Sequence, residues 1–90
     1  MKIEFDLTKS EANRINRGLP FDRVGDFEWR SAMFTEDKRF DYPERRFVAV
    51  GFLDSRLHVI CFTPISGGIR VISFRKANSR EVNRYEKAAD

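Results

Sequence analysis

The chain contains one cysteine and one histidine. Cys61 has no second thiol with which to form an intramolecular disulfide or a cysteine-based metal site. Its setting in Val59-Ile60-Cys61-Phe62 reads as a small buried side chain. His58 as the sole imidazole excludes a paired-histidine zinc motif, and its alternation with Ile60 and Phe62 makes it a strand position outside the active site. Carboxylates show no metal-ligand spacing, so no metal and no cofactor are expected. Apolar runs stop at four or five residues, far below the ~20 that a membrane-spanning helix needs. The opening MKIEFDLTKSEANR has early charges and no signal-like apolar stretch, which predicts a cytoplasmic protein with no membrane partner. Internal repeats and low-complexity segments are also missing.

What remains is enough for one compact domain over residues 1–90. The chain is 41% hydrophobic and has nine phenylalanines, more than a disordered chain of this length would carry. Its net charge of +3 is modest but unevenly placed. Residues 69–90 hold Arg70, Arg75, Lys76, Arg80, Arg84 and Lys87 against Glu81, Glu86 and Asp90, and the preceding 68 residues balance to zero. A one-sided basic surface suits RNA, DNA or an acidic protein, although a plainly solvated face would read the same way.

Read in order, Met1 to Asp6 alternates as a short strand. Asp6 or Thr8 then caps a helix, Thr8 forming a capping box with Glu11, and Gly18 ends it. Leu19-Pro20 opens a second helix carried by Phe21, Val24, Phe27 and Trp29, with Gly25 as its weak point. Ala32 to Glu36 is a short strand, followed by a polar loop from Asp37 to Glu44. Arg46–Leu53, Leu57–Thr63 and Ile69–Arg75 are strong strands, joined by Asp54-Ser55-Arg56 and by Pro64 to Gly68, as in an antiparallel meander. In the middle strand Leu57, Val59 and Cys61 point one way while Ile60 and Phe62 point the other, so both faces need cover. The two N-terminal helices can supply one cover, and the C-terminal helix or a partner chain must supply the rest. Asn78 caps that last helix with Glu81 three residues on. Val82, Tyr85 and Ala89 form its inward face and Arg80, Arg84 and Lys87 an outward basic stripe. The expected fold class is α+β.

Several blocks carry a family resemblance. KIEFD at the start, Asn13, Gly18 and Phe21 as N-x-x-x-x-G-x-x-F, ERRFVAVG from Glu44 to Gly51, and RVISFRKANSREVNRY from Arg70 to Tyr85 together resemble the BrnT toxins. The last block is the most specific, being similar to the family's R-x-I-S-A-R-K-A-[ST]-x-x-E-x-x-x-Y. The resemblance implies a RelE-like fold and a ribonuclease toxin of a type II toxin–antitoxin system that inhibits translation. It also implies a BrnA-like antitoxin with a ribbon-helix-helix domain, whose complex with the toxin represses the operator DNA. Asn16-Arg17-Gly18 departs from the family's K-H-G, so Arg17 stands where relatives carry a histidine, and Phe74 replaces an alanine.

Metal-free RNA cleavage needs a base for the 2′-hydroxyl, an acid for the leaving oxygen and cations for the phosphorane. The candidate catalytic residues are Arg46, Arg75, Lys76 and Tyr85, then Arg17 and Glu44. Arg70, Arg80, Arg84 and Lys87 are candidate RNA-binding residues. Each has a plainer alternative: an ion pair to Glu81 for Arg75, a surface salt bridge for Arg46, packing for Tyr85, and solvated charge or antitoxin contact for Arg80 and Arg84. Arg17 binds phosphate well but shuttles protons poorly, so a co-repressor that pairs with its antitoxin without cutting RNA is the competing reading. A direct DNA-binding protein fits less well, because helix-turn-helix spacing is lacking. Trp29, Phe34, Phe40, Phe47 and Phe52 exceed what two short helices bury, which points to a protein interface, in a homodimer or with the antitoxin.

Overall fold

A computed structural model describes residues 1–89. The chain order is β1 (Lys2–Glu4), α1 (Leu7–Arg17), 3-10 helices at Phe21–Asp26 and Trp29–Ser31, β2 (Met33–Glu36), β3 (Phe47–Leu53), β4 (Arg56–Ile65), β5 (Gly68–Lys76) and α2 (Ser79–Ala89). The strands make one five-stranded sheet in the order β1-β5-β4-β3-β2. β2 to β5 form the expected antiparallel meander, and β1 adds to β5 in parallel, so the sheet is mixed. Gly68 permits that parallel pairing: a Cβ there would lie 1.8 Å from the Lys2 carbonyl oxygen.

The hairpins are tighter than the sequence suggested. Asp54 and Ser55 take positive φ values of 51° and 71°, the two-residue turn whose twist matches paired strands. Pro64 lies inside β4, paired with Ile69. The β3–β4 ladder ends at Phe47 and Phe62, so the missing Pro64 N–H leaves no ladder bond unmade.

The expected second α-helix is instead 3-10. Arg23 N donates to Pro20 O and Phe27 N to Val24 O, at 3.1 and 3.2 Å. Phe21, Val24 and Phe27 are spaced by three residues throughout, and a three-residue turn aligns them on one line. This line covers one sheet face, burying Phe21, Val24 and Phe27 with Ala49, Leu53, Ile60, Phe62, Ile69, Val71 and Phe74. Full burial of a side chain such as Phe74 or Ile60 contributes about 1.5–3 kcal/mol. Gly51 makes room for the cover, since a Cβ there would meet Phe27 at 2.7 Å.

α1 does not share in that cover. Its one buried residue is Ser10, and Ile15 and Leu7 are 66% and 78% exposed. Polar side chains fasten it instead. Ser10 Oγ accepts from Phe21 N at 2.8 Å, and Asn13 Nδ2 donates to Leu19 O and Phe74 O at 2.6 and 2.9 Å. Of the two cap candidates it is Asp6 that caps, accepting from Lys9 N, while Glu11 pairs with Arg14.

The second face is covered by α2 over half its length. Leu57, Val59, Ala77 and Tyr85 are buried there, with Val48, Val50, Phe52, Met33 and Val82 against them. The half toward the β4–β5 turn has no helix over it.

Candidate active site

Register places the polar residues of this second face in rows across the strands. Thr63 of β4 pairs with Arg70 of β5, which pairs with Glu4 of β1. Arg46 precedes the Phe47–Phe62 pair by one residue and so stands opposite Thr63. The next row toward α2 is Thr35, Val48, Cys61 and Ser73, and the one beyond is Met33, Val50, Val59 and Arg75. Two arginines thus flank a buried threonine on an uncovered strip.

Two polar atoms in the first row lack hydrogen-bond partners. Arg46 Nε and Thr63 Oγ1 are buried and unpaired among the described residues, as is Trp29 Nε1 away from this row, a condition uncommon in native interiors. Arg46 lies over the Tyr42 ring at 4.1 Å. Tyr42 in turn donates its hydroxyl to Asp37 Oδ2 at 3.1 Å. Arg39 Nε and Nη2 each donate to the same carboxylate at 2.9 Å and hold its pKa well below the usual carboxylate range. The polar loop after β2 is therefore pinned at the buried Asp37 and presents Tyr42 as a platform for Arg46. Glu44 joins the row through Arg70, 3.6 Å from its guanidinium, and Glu4 is 4.0 Å away on the other side.

Arg75 and Lys76 separate. Arg75 extends over the second face and makes a bidentate pair with Glu81, both bonds 2.8 Å. Lys76 lies opposite His58, on the other face by strand alternation. Glu81 also completes the expected capping box: it accepts from Asn78 N, and its own N donates to Asn78 Oδ1, each at 2.9 Å. Tyr85 is buried, donates its hydroxyl to Ser31 O at 2.8 Å and meets Phe52 edge-on at 5.6 Å. Arg80 and Lys87 are exposed on α2. Arg17 ends α1 beside Asn13, Asn16, Ile72 and Ser73, at the edge of β5 and away from the Arg46 row.

His58 is buried against Phe74 on the opposite face, with Nδ1 2.7 Å from Arg56 O. Burial lowers its pKa. Burial also raises that of the Cys61 thiol, so neither supplies a ready base or nucleophile to the strip. Of the residues gathered here, sequence reasoning names Arg46, Arg70 and Glu44 as candidates and does not name Thr63, Tyr42 or Asp37. Thr63 becomes visible only once the register aligns it with both arginines, and Asp37 and Tyr42 read as ordinary loop residues.

Residues 5–81 match the family described as the ribonuclease toxin, BrnT, of type II toxin–antitoxin systems. The chain belongs to the BrnT toxin family. The match takes in Arg46, Thr63, Arg70 and Glu44, begins just after Glu4 and stops inside α2, so Arg84, Tyr85 and Lys87 of this BrnT chain lie past it. No curated protein matches the chain. Membership makes it a type II ribonuclease toxin with an antitoxin partner. Among the described residues, no helix is long and apolar enough to cross a membrane.

Proposed function

We propose that this BrnT chain is a metal-independent endoribonuclease of RelE-like architecture that arrests translation, and that the Arg46–Thr63–Arg70 row with Glu44 is its phosphate site. The observation that carries this reading is Thr63 Oγ1, unpartnered between Arg46 and Arg70, with Arg46 Nε likewise unpartnered, on a strip over which no helix lies among the described residues. A phosphate oxygen satisfies such donors, and arginine's planar fork matches it. Glu44, the carboxylate on Arg70, takes the proton from the 2′-hydroxyl. The 2′ oxygen then bonds to phosphorus and the bond to the 5′ oxygen breaks, that oxygen being protonated by water. The products are a 2′,3′-cyclic phosphate and a 5′-hydroxyl end. Arg46 and Arg70 stabilise the phosphorane charge. Arg75 and Tyr85 act through α2, because their polar atoms are already engaged. Arg80, Arg84 and Lys87 recruit RNA, and a BrnA-like antitoxin neutralises the toxin by covering the strip.

Cleavage of RNA in the presence of EDTA tests this. Arg46→Ala and Arg70→Ala are expected to slow it by about 10²–10³-fold, the usual loss when one preorganised charge stabiliser is removed. Thr63→Val should slow it less and leave stability unchanged or raised, since the hydroxyl it removes makes no internal bond. Loss of all cleavage on chelation, or full activity in the folded arginine variants, overturns the assignment. Arg17 in place of the family histidine favours a second reading, a co-repressor that binds its antitoxin and leaves RNA intact. Tight pairing with a ribbon-helix-helix protein, without RNA cleavage in any buffer, would select it.

A further inference from the structure

Beside the phosphate row lies a cavity of about 250 Å³ that the cleavage chemistry above does not use. Its floor is apolar, formed by Met33, Val48 and Val50 of β2 and β3, with Tyr85 of α2 along one side. An acceptor stands at one wall. Glu81 lines the cavity and is held ionised by Arg75. Its pKa is correspondingly lowered, chiefly by that hydrogen bonding. Ionised carboxylates accept hydrogen bonds and cannot donate them. Cations mark the rim, where Lys38 and Arg84 have no ion-pair partner among the described residues.

Val48 sits two residues along β3 from Arg46, on the same face, a separation of about 7 Å. A nucleotide held by its phosphate at Arg46 therefore brings its base to the cavity mouth. An apolar floor with one acceptor wall and a cationic rim fits a planar heterocycle that carries an amino group and is attached to a phosphodiester. We propose that this cavity is a nucleobase subsite that takes an unstacked adenine, cytosine or guanine next to the cleaved phosphate and disfavours uracil, which has no exocyclic amino group and whose one ring donor, N3–H, lies between two carbonyl oxygens that an ionised carboxylate repels. The proposal rests on the ribonuclease reading. A protein side chain is the other class of occupant for such a cavity, and the cationic rim continuous with the phosphate row favours the nucleotide.

Equilibrium binding of nucleoside 3′-monophosphates to the intact chain, with ribose 5-phosphate as the baseless control, tests it without reading cleavage. The adenosine, cytidine and guanosine compounds should bind about tenfold more tightly than ribose 5-phosphate, the usual scale for placing a base on an apolar platform. Uridine 3′-monophosphate should lie close to the control. Val48→Phe, which fills the floor, should bring all four to the control value while ribose 5-phosphate binds as before. Thr35→Phe does the same from the exposed rim, should the floor variant fail to fold. Equal binding of all nucleotides and ribose 5-phosphate, or discrimination that survives both filled variants, overturns the subsite and leaves the cavity to a protein side chain. A chain that cuts RNA yet shows no such discrimination loses only the subsite. One that discriminates nucleotides but never cuts RNA loses only the nuclease.

Discussion

His58 shows how a single residue's setting decides its role. As the sole histidine it invites an acid–base assignment, yet it lies on the core face, opposite the Arg46–Thr63–Arg70 row, with Phe74 beside it. Burial is the largest influence and lowers its pKa; the Arg56 carbonyl bonded to Nδ1 favours protonation, the Arg56 and Lys76 charges oppose it, and Asp54 favours it weakly. The unfolded chain therefore binds a proton at a pH where the folded chain does not. Stability contributed by the neutral ring is present above the unfolded value near 6.5 and declines as pH falls below it. We expect the urea midpoint to drop between pH 7 and pH 5, and the slope over that window to flatten in His58→Gln. An unchanged slope in the variant would assign the pH dependence to other groups. Acid loss from the paired carboxylates Asp37 and Glu81, whose pKa values are lowered, belongs to a lower window, beneath the ordinary carboxylate range.

Among the elements, α2 is the one whose attachment matters most for the site, and one carboxylate does much of the fastening. Glu81 closes the capping box with Asn78 and takes both arms of Arg75 from the end of β5. Tyr85 adds the link to Ser31 one turn later. Charge-assisted bidentate bonds are worth more than neutral ones, but the Arg75 side chain is 36% exposed and solvent screens it. Arg75→Ala is therefore expected to cost only about 1 kcal/mol, similar to the loss of an N-cap in Asn78→Ala. Urea denaturation of Arg75→Ala, Glu81→Gln and the double variant measures this directly. Less than additive loss in the double variant confirms the clasp, and full additivity would show that the two residues act apart. The same bond explains why Arg75 is not free to grip a phosphate in this arrangement.

For the molecule as a whole, the excess of aromatic side chains resolves into two groups. Trp29, Phe47 and Phe52 are absorbed, Trp29 against Phe27 and Phe62 and Phe47 stacked on Phe62. Phe34 and Phe40 stay 52% and 67% exposed, near the outer edge of the sheet where β2 has pairing on one side only. Paired apolar exposure on a strand edge favours association. The isolated toxin should self-associate at micromolar concentration in sedimentation velocity runs. Phe34→Ser with Phe40→Ser should sediment as a monomer, with a modest loss of stability from the Phe34 contacts to Trp29 and Phe62. A monomeric wild type would remove the case for this edge as an interface.

Local signals in the chain were sufficient for much of this. Alternation over residues 46–75 dictates three strands whatever lies around them, because apolar side chains on both faces leave few other arrangements. The Asn78–Glu81 spacing dictates the start of α2, since a capping box closes within four residues. Arg46, Arg70 and Glu44 could be singled out as candidates for phosphate handling by residue type and by their place in the blocks that carry the family resemblance. Tertiary structure alone decided what those residues do together. The β3–β4–β5 register sets Arg46 beside Thr63 and Arg70, although 24 positions separate the two arginines. Strand alternation sends Lys76 away from Arg75, and the three-residue spacing of Phe21, Val24 and Phe27 became a 3-10 cover only against the sheet. Side-chain chemistry and short-range periodicity are properties of the chain itself, whereas convergence of distant side chains follows from the pairing of strands.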